Sequence, residues 1–121
     1  MKKRFEQSAI IIFVIVNFLF AGCTKDKTTS SNTLRKLYDI YKNGDIDECT
    51  INGQTVYGAE LNAYDAGAVI YDKDGNVIGN CNYAWGQVDT ICKQLQNCTT
   101  IYRCHNHISG EPFVDKYGLS Q

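Results

Sequence analysis

The chain has 121 residues, of which 44% are hydrophobic, and its formal net charge at pH 7 is −1. A chain of this length is enough for one small domain. Beyond the first four residues, the lysines and arginines form no cluster or stripe, which argues against nucleic acid as a partner.

The chain begins with a basic stretch, Lys2-Lys3-Arg4, and continues with an apolar run over residues 9–20. A helix of about twelve residues rises only about 18 Å, whereas the hydrocarbon core of a bilayer is about 30 Å thick. The pattern therefore predicts a signal peptide and not a transmembrane helix.

The end of this run resembles the lipobox of a bacterial lipoprotein in the residues Leu19-Phe20-Ala21-Gly22-Cys23. Phe20 is the one departure, because lipoboxes favour leucine at that position. The resemblance implies that residues 1–22 are removed and that Cys23 becomes the N-terminus and carries lipid. More than one acyl chain would then anchor the protein to a membrane without spanning it. The alternative is an ordinary secretory signal with a chance cysteine.

Residues 23–32 are predicted to form the lipidated cysteine and a flexible tether, because the stretch after Cys23 is polar. Thr24 replaces the aspartate associated with inner-membrane retention, which favours the outer membrane. The residues Cys23-Thr24-Lys25-Asp26 also resemble the short charged signal that directs some lipoproteins to the cell surface, although a single acidic residue follows the lysine. We therefore expect a protein of the cell envelope, attached to the periplasmic or the surface-exposed face of the outer membrane.

Five cysteines follow the predicted anchor: Cys49, Cys81, Cys92, Cys98 and Cys104. An exported chain reaches an oxidising compartment, so disulfides are expected. Because the number is odd, at most two bridges form within the chain, and several pairings are open. The pairing that we favour joins Cys81 to Cys92 and Cys49 to Cys98 and leaves Cys104 as the free thiol. It assumes that the chain folds back after a strand that ends at Cys81.

Residues 33–121 are predicted to form a single domain that begins with a helix over residues 33–42, capped by Ser31 or Thr33. The helix has an apolar face at spacings of three and four residues. That face consists of Leu34, Leu37, Tyr38 and Tyr41. A short acidic loop over residues 45–48 is expected to follow, with a cation site beside Cys49 as the less favoured interpretation.

Alternation of apolar and polar residues predicts a half-buried strand over residues 55–63. A hairpin is predicted next, because Asp74-Gly75 lies between the β-rich runs 68–71 and 77–78 and that dipeptide favours a tight turn. Trp85 is expected to pack at the start of a second helix over residues 86–96.

A final strand is predicted over residues 99–104, followed by a tail over residues 108–121 with no regular element. The predicted fold class is therefore α+β. It consists of a mainly antiparallel sheet of about four strands, packed against one or two helices and braced by disulfides.

One group of residues has the ligand types of a zinc site: Cys98, Cys104, His105 and His107. Its spacing does not match a zinc finger, and disulfides would consume the thiols. On a strand only His105 and His107 share a face, which gives two ligands where a closed site needs four. We therefore predict no metal and keep the two histidines as weak candidates. No sequence motif for a nucleotide or another cofactor is present, so no cofactor is expected.

These observations favour a non-catalytic binding or structural module with a protein partner at the envelope. The eight tyrosines and Trp85 suit such a role, because aromatic residues anchor interfaces. The globular part is also similar to small cysteine-containing envelope lipoproteins of unassigned activity. The alternatives are an envelope thiol or hydrolytic enzyme that uses Cys104 with His105 or His107, and a small inhibitor of an extracellular enzyme.

Overall fold

The computed structural model describes residues 30–121. In the described chain, helix α1 covers residues 30–41 and leads into a single sheet of seven strands. The strands are β1 (Gly44–Ile51), β2 (Gln54–Leu61), β3 (Ala68–Asp72), β4 (Val77–Asn82), β5 (Gln87–Val88), β6 (Gln96–Arg103) and β7 (Val114–Asp115). Within residues 30–121, no helix has the length and apolar character that crossing a membrane requires.

The strands are ordered β5-β4-β3-β2-β1-β6-β7, and every neighbouring pair is antiparallel. The first five strands follow the chain as a meander, after which β6 returns to pair with the free side of β1. The α+β class is confirmed, but the sheet has seven strands where about four were expected. Two of the additional strands, β5 and β7, are two-residue strands at the edges.

The prediction of an acidic loop over residues 45–48 is wrong, because these residues belong to the central strand β1. Alternation along the strand places Ile46 on one face, where it is fully buried, and Asp45 and Asp47 on the other. The strand turns into β2 at Asn52-Gly53, where both residues adopt positive φ angles of 50° and 76°. These are the angles that a two-residue hairpin turn requires.

Helix α1 packs its predicted apolar face on one side of the sheet. Its buried residues Leu34, Leu37 and Tyr41 form a cluster with strand residues of β1, β2 and β6. We call this cluster the helix-covered core; its members are Leu34, Leu37, Tyr41, Ile46, Tyr57, Ala59, Ile101, Tyr102, Cys104 and Leu119. The helix already includes residues 30–32, which were assigned to the tether.

Neither of the expected capping residues lies at the start of α1, because Ser31 and Thr33 are both inside the helix. The Thr33 side chain is buried and donates a hydrogen bond to the carbonyl oxygen of Lys73 at 2.7 Å. This bond ties the helix to the turn between β3 and β4. The Thr33 side chain therefore makes a tertiary contact and does not cap the helix.

The opposite face of the sheet carries a smaller buried cluster, which we call the cysteine core. Its members are Cys49, Val56, Ile70, Cys81 and Cys92. No α-helix covers it among the described residues; the segment between β4 and β6 does so instead. That segment contains β5 and a 3-10 helix, Thr90–Lys93.

The predicted helix over residues 86–96 is therefore wrong. Val88 pairs with Cys81 in the sheet, and the backbone N–H of Asp89 donates to the carbonyl of Asn80 at 3.0 Å, so the chain follows β4. Trp85 is 67% exposed and does not anchor a helix start. Smaller differences concern the C-terminal tail, which contributes β7, and β4, which ends at Asn82, one residue beyond the expected end at Cys81.

Candidate functional site

The structure joins Cys49 to Cys98 and Cys81 to Cys92. The first bridge links the neighbouring strands β1 and β6, and the second links β4 to the 3-10 helix. Disulfide bracing of the domain is thus confirmed. Cys104 is the free cysteine among the described residues, and it lies in the helix-covered core with 7% of its surface exposed.

The histidines beside Cys104 have other partners. His105 is exposed and its ring stacks on Phe113, with the ring centres 3.9 Å apart and the planes 5° from parallel. His107 places Nδ1 2.8 Å from the Ser109 hydroxyl and Nε2 3.5 Å from Asp45 Oδ2. A nucleophile and its base must lie within hydrogen-bond reach of each other. The arrangement therefore gives no support to the enzyme built on Cys104 and these histidines.

Acidic side chains meet His107 on the face of the sheet that also carries the cysteine core. Burial raises the pKa of Asp45, and the charge of Asp47 raises it further, while His107 and Arg103 act in the opposite direction. Arg103 also forms an ion pair with Glu111 at 2.9 Å. Across residues 30–121, no group of three or more histidine, cysteine, aspartate or glutamate side chains is arranged to hold a metal ion.

The most exposed aromatic side chains lie on two loops that join consecutive strands. Residues 62–67 join β2 to β3, and residues 83–86 join β4 to β5. Because Ala68 pairs with Cys81, both loops lie at the same end of the sheet. We call them the aromatic loops. They carry Tyr64, Tyr83 and Trp85, which are 91%, 71% and 67% exposed.

Asn82 holds the two aromatic loops together. Its Nδ2 atom donates to the carbonyl of Asp65 at 3.4 Å, and its Oδ1 atom accepts from the backbone N–H of Trp85 at 3.1 Å. Gly67 lies against the same residue, since a Cβ added there would come within 2.6 Å of the Asn82 Cβ. The loop backbones are therefore fixed to each other, while the aromatic rings extend into solvent.

The first described turn of α1 lies at the opposite end of the sheet. Ser30 Oγ is 2.6 Å from the hydroxyl of Tyr57, and Thr33 bonds to Lys73 in the turn between β3 and β4. The last turn of α1 leads to Gly44, which pairs with Leu61 immediately before the first aromatic loop. Any chain that precedes residue 30 is therefore joined to the domain at the end remote from the aromatic loops.

A cleft of about 300 Å³ lies between α1 and the C-terminal tail. Two of its polar side chains, one on either side, already have partners. Arg35 donates to the carbonyl of Leu119 at 2.8 Å, and the Tyr117 hydroxyl donates to the carboxylate of Glu48 at 3.1 Å. This cleft therefore offers fewer free recognition groups than the aromatic loops.

Sequence reasoning did not select the aromatic loops. The eight tyrosines and Trp85 were expected to suit an interface as a group. Tyr64 and Tyr83 were not distinguished from the other tyrosines, and Trp85 was also assigned to the packing of a helix. One sequence feature could have identified these loops: all three aromatic residues lie among alanine, asparagine and glycine in turn-forming stretches. Cys23 lies outside the described residues, so its lipidation stays a prediction.

Comparison with known proteins gives no assignment. No protein-family model matches the chain, no curated protein matches its sequence, and no solved structure matches its fold.

Proposed function

We propose that this protein is a lipid-anchored lipoprotein of the bacterial cell envelope whose domain is a non-catalytic binding module. The observation that carries the binding role is the exposure of Tyr64, Tyr83 and Trp85 on two loops that are bonded to each other. Aromatic residues supply much of the binding energy of protein interfaces, and clustered exposed apolar side chains mark interaction surfaces. We assign the aromatic loops as the binding surface for a protein partner.

The envelope location is supported by the two disulfides, because such bonds persist in oxidising compartments outside the cytoplasm. Attachment at Cys23 and location at the outer membrane rest on the lipobox-like stretch and on Thr24. The buried position of Cys104 supports a non-catalytic role, since a nucleophilic thiol must be accessible to its substrate.

The anchor is tested by changing Cys23→Ser. The variant should leave the membrane fraction and lose labelling by a fatty-acid probe. Cys104→Ala is the matched control, because it removes a different cysteine and should keep both properties. Equal labelling of the Cys23→Ser variant would refute lipid attachment at this residue.

The binding surface is tested by placing a photoreactive side chain at Tyr64 or Trp85 in cells that produce the protein. A matched control places it at Val77, which is 64% exposed at the other end of the sheet. We expect a defined cross-linked product from the two loop positions and not from Val77. The same product from all three positions, or from Val77 alone, would show that the aromatic loops are not the binding surface.

A further inference from the structure

The aromatic loops carry three exposed aromatic side chains on backbone segments that Asn82 links, and we call this surface the aromatic patch. Single exposed apolar residues are normal on protein surfaces, but three large aromatic side chains on two adjoining loops are not explained by folding. Their rings are not needed for the two cores, because none of the three belongs to either cluster. The backbone beneath them is nevertheless fixed by Asn82 and by the close approach of Gly67.

The surroundings of this patch are acidic. Residues 54–72 and 77–88, which contain the aromatic loops and the strands leading into them, include no lysine or arginine. They include Glu60 and Asp65, and Asp89 follows directly. Lys42 and Arg103 also lie toward this end of the sheet, and Arg103 is paired with Glu111.

The register of the sheet concentrates this negative charge. Glu60 on β2 lies directly opposite Asp45 on β1, and like charges in that position destabilise a sheet. Burial raises the pKa of Glu60, and the charges of Asp45 and Asp47 raise it further. His107 and Arg103 already act against the raised pKa of Asp45. Further positive charge at this end of the sheet would relieve the repulsion that remains at Glu60.

We infer that the aromatic loops bind a lysine- or arginine-rich segment of a partner protein located away from the anchoring membrane. Cations are attracted to the faces of tryptophan and tyrosine rings, and arginine also stacks on them. The acidic surroundings add long-range attraction for the same partner. This inference rests on the proposed function for the anchor and names the chemistry of the partner.

The position of the anchor favours a protein over the anchoring bilayer as partner. From Cys23 to Ser30 the chain can span no more than about 25 Å even when fully extended. The eight-residue strands β1 and β2 are about 26 Å long, and the aromatic loops lie beyond their far end. When the tether extends away from the sheet, the loops therefore lie on the side of the domain away from the anchoring membrane. They would reach that membrane only if the tether ran back along the sheet or the domain lay on its side.

The chain contains a single tryptophan, so intrinsic fluorescence reports on Trp85 directly. The probe is an arginine-rich peptide of about twelve residues, titrated into the purified full chain in detergent micelles. A glutamate-rich peptide of equal length is the control. We expect a saturable change in Trp85 emission with the arginine-rich peptide alone, and weaker binding as the salt concentration rises.

Variants locate the interaction. Tyr64→Ala combined with Tyr83→Ala should weaken binding by at least about tenfold, as expected for interface aromatics. Asp65→Asn should weaken it less and should reduce its salt dependence. Tyr117→Ala is the matched control, because Tyr117 is an exposed tyrosine outside the aromatic loops and should leave affinity unchanged. Thermal unfolding of each variant separates loss of binding from loss of the fold.

The inference is overturned if Trp85 emission does not respond to the arginine-rich peptide, or responds equally to the glutamate-rich one. It is also overturned if neutral oligosaccharides or anionic vesicles, and not the peptide, produce the saturable change. A wrong assignment of the lipid anchor would give a different result. The Cys23→Ser variant would then stay bound to the membrane and labelled by the fatty-acid probe, while the fluorescence response to the peptide was unaffected.

Discussion

The helix-covered core and the cysteine core lie on opposite faces of one sheet, and they are stabilised in different ways. The first contains ten buried residues, including Leu34, Leu37 and Tyr41 from α1. The second contains five, of which three are cysteines in disulfides. Burying a large apolar side chain contributes about 1.5–3 kcal/mol, and a disulfide typically contributes about 2–4 kcal/mol. On the face without an α-helix, cross-links thus replace part of the missing apolar volume.

The largest expected effect comes from removing the bridge between β1 and β6 with Cys49→Ala and Cys98→Ala. Its cysteines are 49 residues apart, so we expect a loss of about 4 kcal/mol in the free energy of unfolding. Removing Cys81 and Cys92, which are 11 residues apart, should cost about 3 kcal/mol because the closed loop is shorter. Urea unfolding measures both. A larger loss from the shorter loop would contradict the entropic explanation.

The second prediction compares two buried isoleucines, one in each core. Ile46 under α1 is 0% exposed and Ile70 in the cysteine core is 1% exposed. Truncation of such side chains to alanine costs about 2–5 kcal/mol. We expect about 3 kcal/mol for Ile46→Ala and about 2 kcal/mol for Ile70→Ala, because the smaller core leaves fewer contacts to lose. Equal losses would show that the two cores are packed alike.

A smaller effect is expected at the acidic part of the cysteine-core face. The pKa of Glu60 is higher in the folded state than in the unfolded state. The free energy of unfolding therefore has its full value below the unfolded pKa of Glu60 and decreases as pH rises through the folded pKa. Glu60→Gln should therefore stabilise the protein at pH 7, by less than about 1 kcal/mol because the carboxyl is partly exposed. The gain should vanish near pH 4. Glu111→Gln removes the partner of Arg103 and should not stabilise the protein. Unfolding curves of both variants, measured across this pH range, test the two expectations.

The smallest effect is expected at His105, which is exposed and lies outside both cores. His105→Ala removes the ring stacked on Phe113, and His107→Ala removes a contact to Asp45. His105→Ala should cost no more than about 1 kcal/mol, as is usual for substitutions away from a packed core. His107→Ala should cost more, about 1–3 kcal/mol, because the side chain of His107 is only 8% exposed and its removal takes a partner from the buried carboxylate of Asp45. Neither should change the metal content, which elemental analysis measures. Near-stoichiometric zinc that disappears in the double variant would make these histidines metal ligands.

The elements that could be predicted from sequence are those whose identifying residue pattern lies entirely within the element. The apolar face of α1 has helical spacing and packs as expected, and Gly75 in the β3–β4 turn has the positive φ, 86°, that the dipeptide Asp74-Gly75 indicates. The strand β1 had a similar signal in Asn52-Gly53, but its three acidic residues resemble a loop until β2 and β6 are seen to pair with it.

The predictions that failed depended on contacts distant in the sequence. Val88, Ile91 and Leu95 have helical spacing, yet they pack on the cysteine core from a short strand, a 3-10 helix and a loop. Their spacing cannot distinguish the two arrangements, because both place the same side chains on one surface. The exposure of Tyr64 and Tyr83 likewise follows from the position of their loops in the sheet, which no local pattern determines.

The burial of Cys104 also has a consequence for how the correct bridges are retained. Disulfides rearrange when a thiolate attacks one of their sulfur atoms. An accessible fifth thiol therefore allows both disulfides to exchange partners. Cys104 is inaccessible only when the residues around it, from α1 to Leu119, are in place. Closure of that core thus removes the nucleophile and ends the period in which wrong pairs are corrected. If the helix-covered core closed before the cysteines were correctly paired, the chain would keep its wrong disulfides. The order of core closure and correct pairing therefore decides the yield of native protein.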